Sequence, residues 1–116
     1  MTVLVVDDDP GFRELARLLL ADLGLPVAGE AGTVAEARAA MWRLRTGAAL
    51  VDVGLPDGDG VEFAAELSEL AWRPRIVLVS SDPDVITPEE ARAAGAAGFL
   101  AKTDLPSDAL RAWLLQ

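Results

Sequence analysis

The 116-residue sequence contains no cysteine and no histidine. Without cysteine there is no disulfide framework, no thiol nucleophile and no zinc–thiolate site. Without histidine there is no imidazole catalysis, and the chain is not itself a phosphohistidine carrier. Aromatic residues make up only 5 % of the chain against 52 % hydrophobic residues, so the core has to be built from Val, Leu and Ala. The longest apolar runs fall far short of a membrane span, and the amino end has neither a basic n-region nor a signal-like apolar stretch. The expectation is a cytoplasmic chain with no membrane partner. Positive charge is scarce too: 10 Lys and Arg stand against 19 Asp and Glu, a formal charge of −9. A surface of that sign repels nucleic acid, which argues against direct nucleic-acid binding by this segment.

Lysine is the scarcest cation. Of the 10 basic residues only Lys102 is a lysine. The high Ala and Arg content matches a codon bias toward G and C, which replaces Lys by Arg wherever the two serve equally. Lys102 then marks a position where they do not. An ammonium is a compact point charge and a guanidinium a wide planar fork. Chance retention of one residue is the competing explanation.

What is present reads as one domain, residues 1–116, with a single core. Thr2–Val6 is a continuous apolar, β-branched run, the mark of a strand buried on both faces. Asp9 and Pro10 start a helix, with Phe12, Leu15, Ala16, Leu19 and Leu23 as its apolar stripe and Gly24 as its stop. Pro26–Glu30 is a weaker strand near a sheet edge. Thr33–Glu36 is a capping box opening a helix to Leu44, and Ala48–Val51 is the third strand. Asp59–Glu62 caps a helix that buries Phe63, Leu67 and Leu70. Arg75–Val79 is the fourth strand, followed by Ser80. Thr87–Glu90 caps an Ala-rich helix running to Ala94, Gly98–Ala101 is the fifth strand, and Pro106 opens a last helix carrying Leu110, Trp113 and Leu114. No internal repeat, low-complexity tract or linker is expected. Strand and helix alternate with connections that fit only parallel crossovers, which predicts a parallel sheet with helices on both faces.

The centre of this pattern is Leu50–Gly60, an apolar strand ending in Asp52 and breaking into a loop with Gly54, Pro56, Gly58 and Gly60. Strand ends at one edge of an open parallel sheet are where ligand sites lie. The first strand ends in Asp7-Asp8, the third in Asp52, the fourth in Ser80 and the fifth in Lys102. Three acids together repel unless a cation compensates, so they read as a divalent site. Oxygen ligands without His or Cys favour Mg²⁺ or Mn²⁺. Ser80 and Lys102 add a hydroxyl and a cation suited to holding phosphoryl oxygens. Singly, each feature is equally well an ordinary strand end or helix cap.

Taken together, Val5-Val6-Asp7-Asp8, Asp52-Val53-Gly54-Leu55-Pro56 with Gly60, Ser80, and Gly98-Phe99-Leu100-Ala101-Lys102 resemble the receiver domain of bacterial two-component response regulators. The resemblance covers essentially the whole chain. It implies a flavodoxin-like (βα)5 doubly wound α/β fold with a five-stranded parallel sheet of order 2-1-3-4-5. It implies Asp52 as phosphoacceptor for a sensor histidine kinase, with Asp8 a direct Mg²⁺ ligand, Asp7 a ligand through water and the Gly54 carbonyl a third protein ligand. Ser80 is similar to the switch hydroxyl, Phe99 to the aromatic residue that moves with it, and Lys102 to the cation that pairs with the acyl phosphate. The face formed by the fourth helix, fifth strand and fifth helix is then the switched surface and a homodimer interface. The sequence departs from the family pattern at Thr103, where Pro is common and where a trans bond and a reshaped loop are expected. It departs also at Ser81, where Ala or Gly is usual, and at Phe99, which lacks the common Tyr hydroxyl. Gly54 offers no side chain to orient a water. A helix-turn-helix output domain follows such Lys-Thr receivers in a family subset, so Gln116 ends either a stand-alone receiver or one part of a longer protein. The competing readings are a pseudo-receiver interaction module that is not phosphorylated, and a Mg²⁺-dependent phosphatase or phosphotransferase for small molecules.

Overall fold

The structure, a computed structural model, describes residues 1–105 and 108–115. Five strands form one parallel sheet: β1 (Val3–Val6), β2 (Val27–Ala31), β3 (Ala48–Asp52), β4 (Arg75–Ser80) and β5 (Gly98–Ala101). Their order is 2-1-3-4-5, with Val3 registered on Ala48, Ala48 on Arg75, and Val77 on Gly98. This is the order that the resemblance implies. β1, β3 and β4 lie inside the sheet and carry the continuous apolar runs. β2 is an edge strand and alternates half-buried and exposed residues up to Ala31.

Five helices cover the faces: α1 (Pro10–Asp22), α2 (Val34–Leu44), α3 (Gly60–Ser68), α4 (Pro88–Ala93) and α5 (Asp108–Leu115). α1 and α5 pack Phe12, Ala16, Leu20, Leu110 and Leu114 against Val3, Val5, Leu50, Val77 and Val79. α2, α3 and α4 pack Met41, Phe63, Leu67 and Ala91 against Leu4, Val6, Val51, Ile76 and Leu78. The alternation of side chains along each strand thus feeds two separate layers of core. Each fully buried leucine contributes about 1.5–3 kcal/mol. Among the described residues, no helix is long and apolar enough to cross a membrane.

Several local expectations are corrected. Leu15 is 48 % exposed, and Leu20 is the residue buried on α1; the inward stripe follows the i, i+4 spacing 12, 16, 20. At α2 the Thr33 hydroxyl accepts from Glu36 N, but Glu36 returns to Gly32 N and not to Thr33, so the box is half formed. At α4 it is complete, through Thr87 and Glu90. Asp59 caps α3 through Val61 N, and Leu70 lies past the end of that helix and is only half-buried. Gly54–Leu55 and Gly58–Asp59, expected as loop, pair as a two-residue antiparallel ladder around Pro56 and Asp57. The start of the last helix at Pro106 lies outside the described residues. Trp113 is half-buried, and a Cβ at Gly98 would come within 2.4 Å of its ring, so it packs flat on β5.

Candidate functional site

Parallel pairing brings the ends of β1, β3, β4 and β5 to one edge of the sheet. Asp7 follows β1 and is fully buried; Asp8 is exposed; Asp52 ends β3 and is 7 % exposed. Each offers a carboxylate oxygen, and the three oxygens lie within 4.8 Å of one another. Lys102 begins a 3₁₀ turn over Lys102–Asp104, directly after β5. Its ammonium lies 2.7 Å from Asp7 Oδ2 and 3.0 Å from Asp52 Oδ2. Parallel pairing thus brings the lysine against two of the three acids across the sheet. The Lys102–Thr103 bond is trans, and the loop there is rebuilt as the 3₁₀ turn.

Backbone donors fix the other carboxylate oxygens. Asp9 N donates to Asp7 Oδ1 at 2.9 Å, and Gly54 N donates to Asp52 Oδ1 at 3.0 Å. The loop after Asp52 turns tightly enough for Gly60 N to donate to the Val53 carbonyl at 2.7 Å. A Cβ on Gly60 would sit 1.9 Å from the Asp52 carbonyl oxygen, so only glycine allows this approach. Nothing lies within 4 Å of where a Cβ on Gly54 would be.

Burial is the largest influence on Asp7 and pushes its carboxyl above the usual range; the bonds from Lys102 and Asp9 N pull it back, and the charge of Asp52 pushes it up. For Lys102 burial pulls the ammonium down, but the bonds and charges of Asp7 and Asp52 together outweigh it, and its pKa lies above the ordinary lysine value. Asp7 Oδ2 is buried and takes no hydrogen bond of regular geometry; the Lys102 ammonium is its charged neighbour. Three carboxylates against one ammonium leave negative charge at the site. An all-oxygen donor set of that charge fits a hard divalent cation.

Ser80 is 8 % exposed at the end of β4, and its Oγ accepts from Asp82 N at 3.0 Å. Among the described residues it makes no hydrogen bond to Asp52. Phe99 is half-buried on β5, registered on Leu78, and packs into the core on the α2–α4 face.

Three residues not expected at the site from the sequence also adjoin it. Phe12, taken as core, presents its ring to Lys102, whose Nζ lies 4.5 Å from the centroid. Arg13 donates from Nη1 to the Asp7 carbonyl at 2.6 Å and from Nε to Glu30 at 3.2 Å; Arg17 also reaches Glu30. Asp57 accepts from Val34 N at 2.7 Å and from Ala35 N at 3.1 Å, tying the loop after Asp52 to the start of α2. Those bonds hold its carboxyl below the usual range. Arg13 could have been found from its place one helical turn after Asp9. Nothing local signals Asp57, because its partners are 22 and 23 residues away.

The family model for the response regulator receiver domain matches residues 3–113. The chain is 40 % identical over 101 residues to the DNA-binding transcriptional activator DevR/DosR of Mycobacterium tuberculosis, covering 86 % of this chain and 46 % of that protein. It spans about half the length of the first curated relatives it matches. Among solved structures, the BeF3-activated N-terminal receiver domain of Klebsiella pneumoniae RstA superposes with a TM-score of 0.83 at 26 % identity, covering 100 % of both chains. A CheY-like response regulator receiver domain protein from Methanospirillum hungatei gives 0.81 at 26 % identity, covering 96 % of this chain and 88 % of that one. With strand order, strand-end residues and sequence match in agreement, the chain belongs to the response regulator receiver domain family.

Proposed function

We propose that residues 1–116 act as one phosphoacceptor receiver unit in which Asp52 takes a phosphoryl group from a phosphohistidine of a sensor kinase. The observation that carries this reading is the Lys102 ammonium held between Asp7 Oδ2 and Asp52 Oδ2 at the edge of the sheet. One Asp52 oxygen attacks phosphorus, the bond from phosphorus to the kinase's imidazole nitrogen breaks with its electron pair going to that nitrogen, and an acyl phosphate remains on Asp52. Gly54 N and Lys102 hold the two carboxylate oxygens and so set the plane from which attack occurs. Lys102 then shifts from carboxylate to phosphoryl oxygen, and the Ser80 hydroxyl, which accepts from Asp82 N but has its own proton to give, donates to a second.

Receiver domains bind Mg²⁺ at an acidic pocket, and here Asp8, Asp52 and the Gly54 carbonyl would hold Mg²⁺ or Mn²⁺, with Asp7 acting through water. When bound, the dication neutralises charge on the phosphoryl oxygens. The added phosphoryl charge draws Ser80 inward, Phe99 moves with it, and the α4–β5–α5 face changes its preference for an output partner or a second copy. An output domain of the helix-turn-helix kind in a longer protein is part of this reading. The DNA-binding activator relative of about twice the length supports it.

Acetyl phosphate with Mg²⁺ tests the proposal. The native chain is expected to gain one phosphoryl group by intact mass and Asp52→Asn none. An unmodified native chain would instead assign it to the pseudo-receiver class.

A further inference from the structure

A second cluster lies at the other end of the strands. The pattern Trp-Arg-X-Arg occurs twice, as Trp42-Arg43-Leu44-Arg45 leaving α2 and as Trp72-Arg73-Pro74-Arg75 entering β4. It is too short to mark a repeated fold unit, but the sheet brings both copies together, because β3 and β4 are parallel neighbours with Ala48 registered on Arg75. The two indoles meet edge to face with centroids 5.4 Å apart. The Arg45 guanidinium lies 5.1 Å from the Trp72 centroid and 5.9 Å from that of Trp42. Trp72 is fixed by a bond from Nε1 to the Thr46 carbonyl at 3.2 Å, and Trp42 stays 54 % exposed.

All four arginines of this edge are exposed, and among the described residues none of them makes an ion pair. Elsewhere Arg13, Arg17, Arg38 and Arg92 are each paired with a glutamate. Arg45 and Arg73 both have φ of 46° and are the only described non-glycine residues with positive φ. Glycine or asparagine would take that conformation with less strain. Arg43 sits in the last turn of α2, where a cation complements the helix dipole. That role needs one cation and the indole contacts engage Arg45, which leaves Arg73 and Arg75 without a partner of either kind among the described residues. Arg73 and Arg75 also line an open cleft of about 500 Å³, with Glu69 and Gly95 on its other walls.

We infer that this edge is a docking surface for an acidic segment of a partner protein. Uncompensated guanidinium groups on a chain of net charge −9 attract carboxylates and bind them through two parallel bonds. Arginine and tryptophan are the residues that most often anchor protein interfaces. A nucleic-acid duplex carries its charge over a longer span, so beyond the arginines it meets the acidic remainder of the surface that a short acidic segment avoids, and Glu69 interrupts the patch. The surface is at the opposite end of the strands from Asp52. Docking there therefore does not depend on phosphorylation or on the phosphoacceptor reading.

Two of the three tryptophans line this surface, so intrinsic fluorescence reports its occupancy. A peptide of eight glutamates is expected to change the emission of the full chain saturably at low salt, and octaglutamine to leave it unchanged. Arg45→Gln with Arg75→Gln is expected to weaken binding roughly tenfold or more while leaving the circular dichroism spectrum that of the native fold. Arg111→Gln, on α5, and Asp52→Asn are expected to bind as the native chain does. Octaglutamate binding that is absent, matched by octaglutamine, or unaffected by the double substitution overturns the inference. So does its loss in Asp52→Asn. Tighter binding of a DNA duplex would make the edge a nucleic-acid surface, and an arginine-dependent emission change on concentrating the protein alone would make it a self-association surface; either result also overturns it.

Discussion

The two ends of the sheet are made by the same strands and are opposite in charge and in tolerance. At the carboxyl end Asp7 and Asp52 are buried against one lysine, in a loop that admits no side chain at Gly60. At the amino end the arginines are exposed, and Gly24 stands in open space and is needed for its φ of 79° alone. The apolar strands between are the same in both directions. The difference shows that the sheet supplies position, and that the chemistry resides in what each strand end buries.

Substitution of glycine should separate the two ends most clearly. Gly60→Ala drives a methyl into the Asp52 carbonyl oxygen, and roughly 3 kcal/mol or more of stability should be lost in urea unfolding. Gly24→Ala has open space and only an unfavourable φ, for about 1–2 kcal/mol. Equal costs at the two positions would dissolve the contrast.

Next in size is the lysine. Lys102→Gln leaves two buried carboxylates without their cation and should cost about 2 kcal/mol at neutral pH. The loss should shrink toward acid pH, because Asp7 is already raised above the usual range and takes up a proton. Lys102→Arg keeps the charge but not the point geometry, and should fall between; on the proposed phosphoacceptor reading it should also reduce output in a reporter assay.

Mg²⁺ should stabilise the carboxyl end by about 1–3 kcal/mol at ten to a hundred times its dissociation constant, read as a rise in Tm. Asp8→Ala should remove most of that rise. A melting temperature indifferent to millimolar Mg²⁺ would leave the acids without a divalent role.

The pH response should divide by burial and not by end of the sheet, since Glu30, near the end of β2, and Asp7, after β1, both lie beside Arg13. The bond and charge of Arg17, then the bond and charge of Arg13, outweigh burial and hold Glu30 below its ordinary 4.5, and Arg38 does the same for Glu66. Carboxyls lowered in this way stabilise fully above their unfolded pKa, and that stability is lost as pH falls through the folded value. Asp7, raised, has the opposite sign: its contribution is full below 3.8 and is lost as pH rises through its folded value. Glu30→Gln should flatten the acid limb of a stability–pH curve by about 0.5 kcal/mol, the scale of a solvent-exposed pair. Least of all, Arg75→Gln at the amino end should change stability by no more than about 0.5 kcal/mol.

Much of this was legible in the sequence because it is local. Val3–Val6 and Ile76–Val79 are apolar over their length, so their burial and parallel pairing follow from composition and short connections. Asp52 and Lys102 were legible because a strand ends at each. What was hidden depends on tertiary approach. The Asp57 caps on α2 join residues more than twenty apart, and the seat of Lys102 on Phe12 joins the start of α1 to the end of β5. The place of Leu20 in the core, with Leu15 outside, turns on a helix rotation that a run of leucines leaves open.

That seat on Phe12 has a consequence for how Lys102 can be observed. An ammonium walled by two carboxylates and an aromatic face, with its side chain 16 % exposed, has given up much of its hydration before any ligand arrives. Water is the route by which lysine ammonium protons exchange, normally too fast to follow. Those of Lys102 should exchange slowly enough to yield a nitrogen-15 correlation in cool, mildly acidic solution, shifted upfield by the phenyl ring current. As the chain's only lysine, Lys102 is the only side-chain ammonium it has to give such a signal.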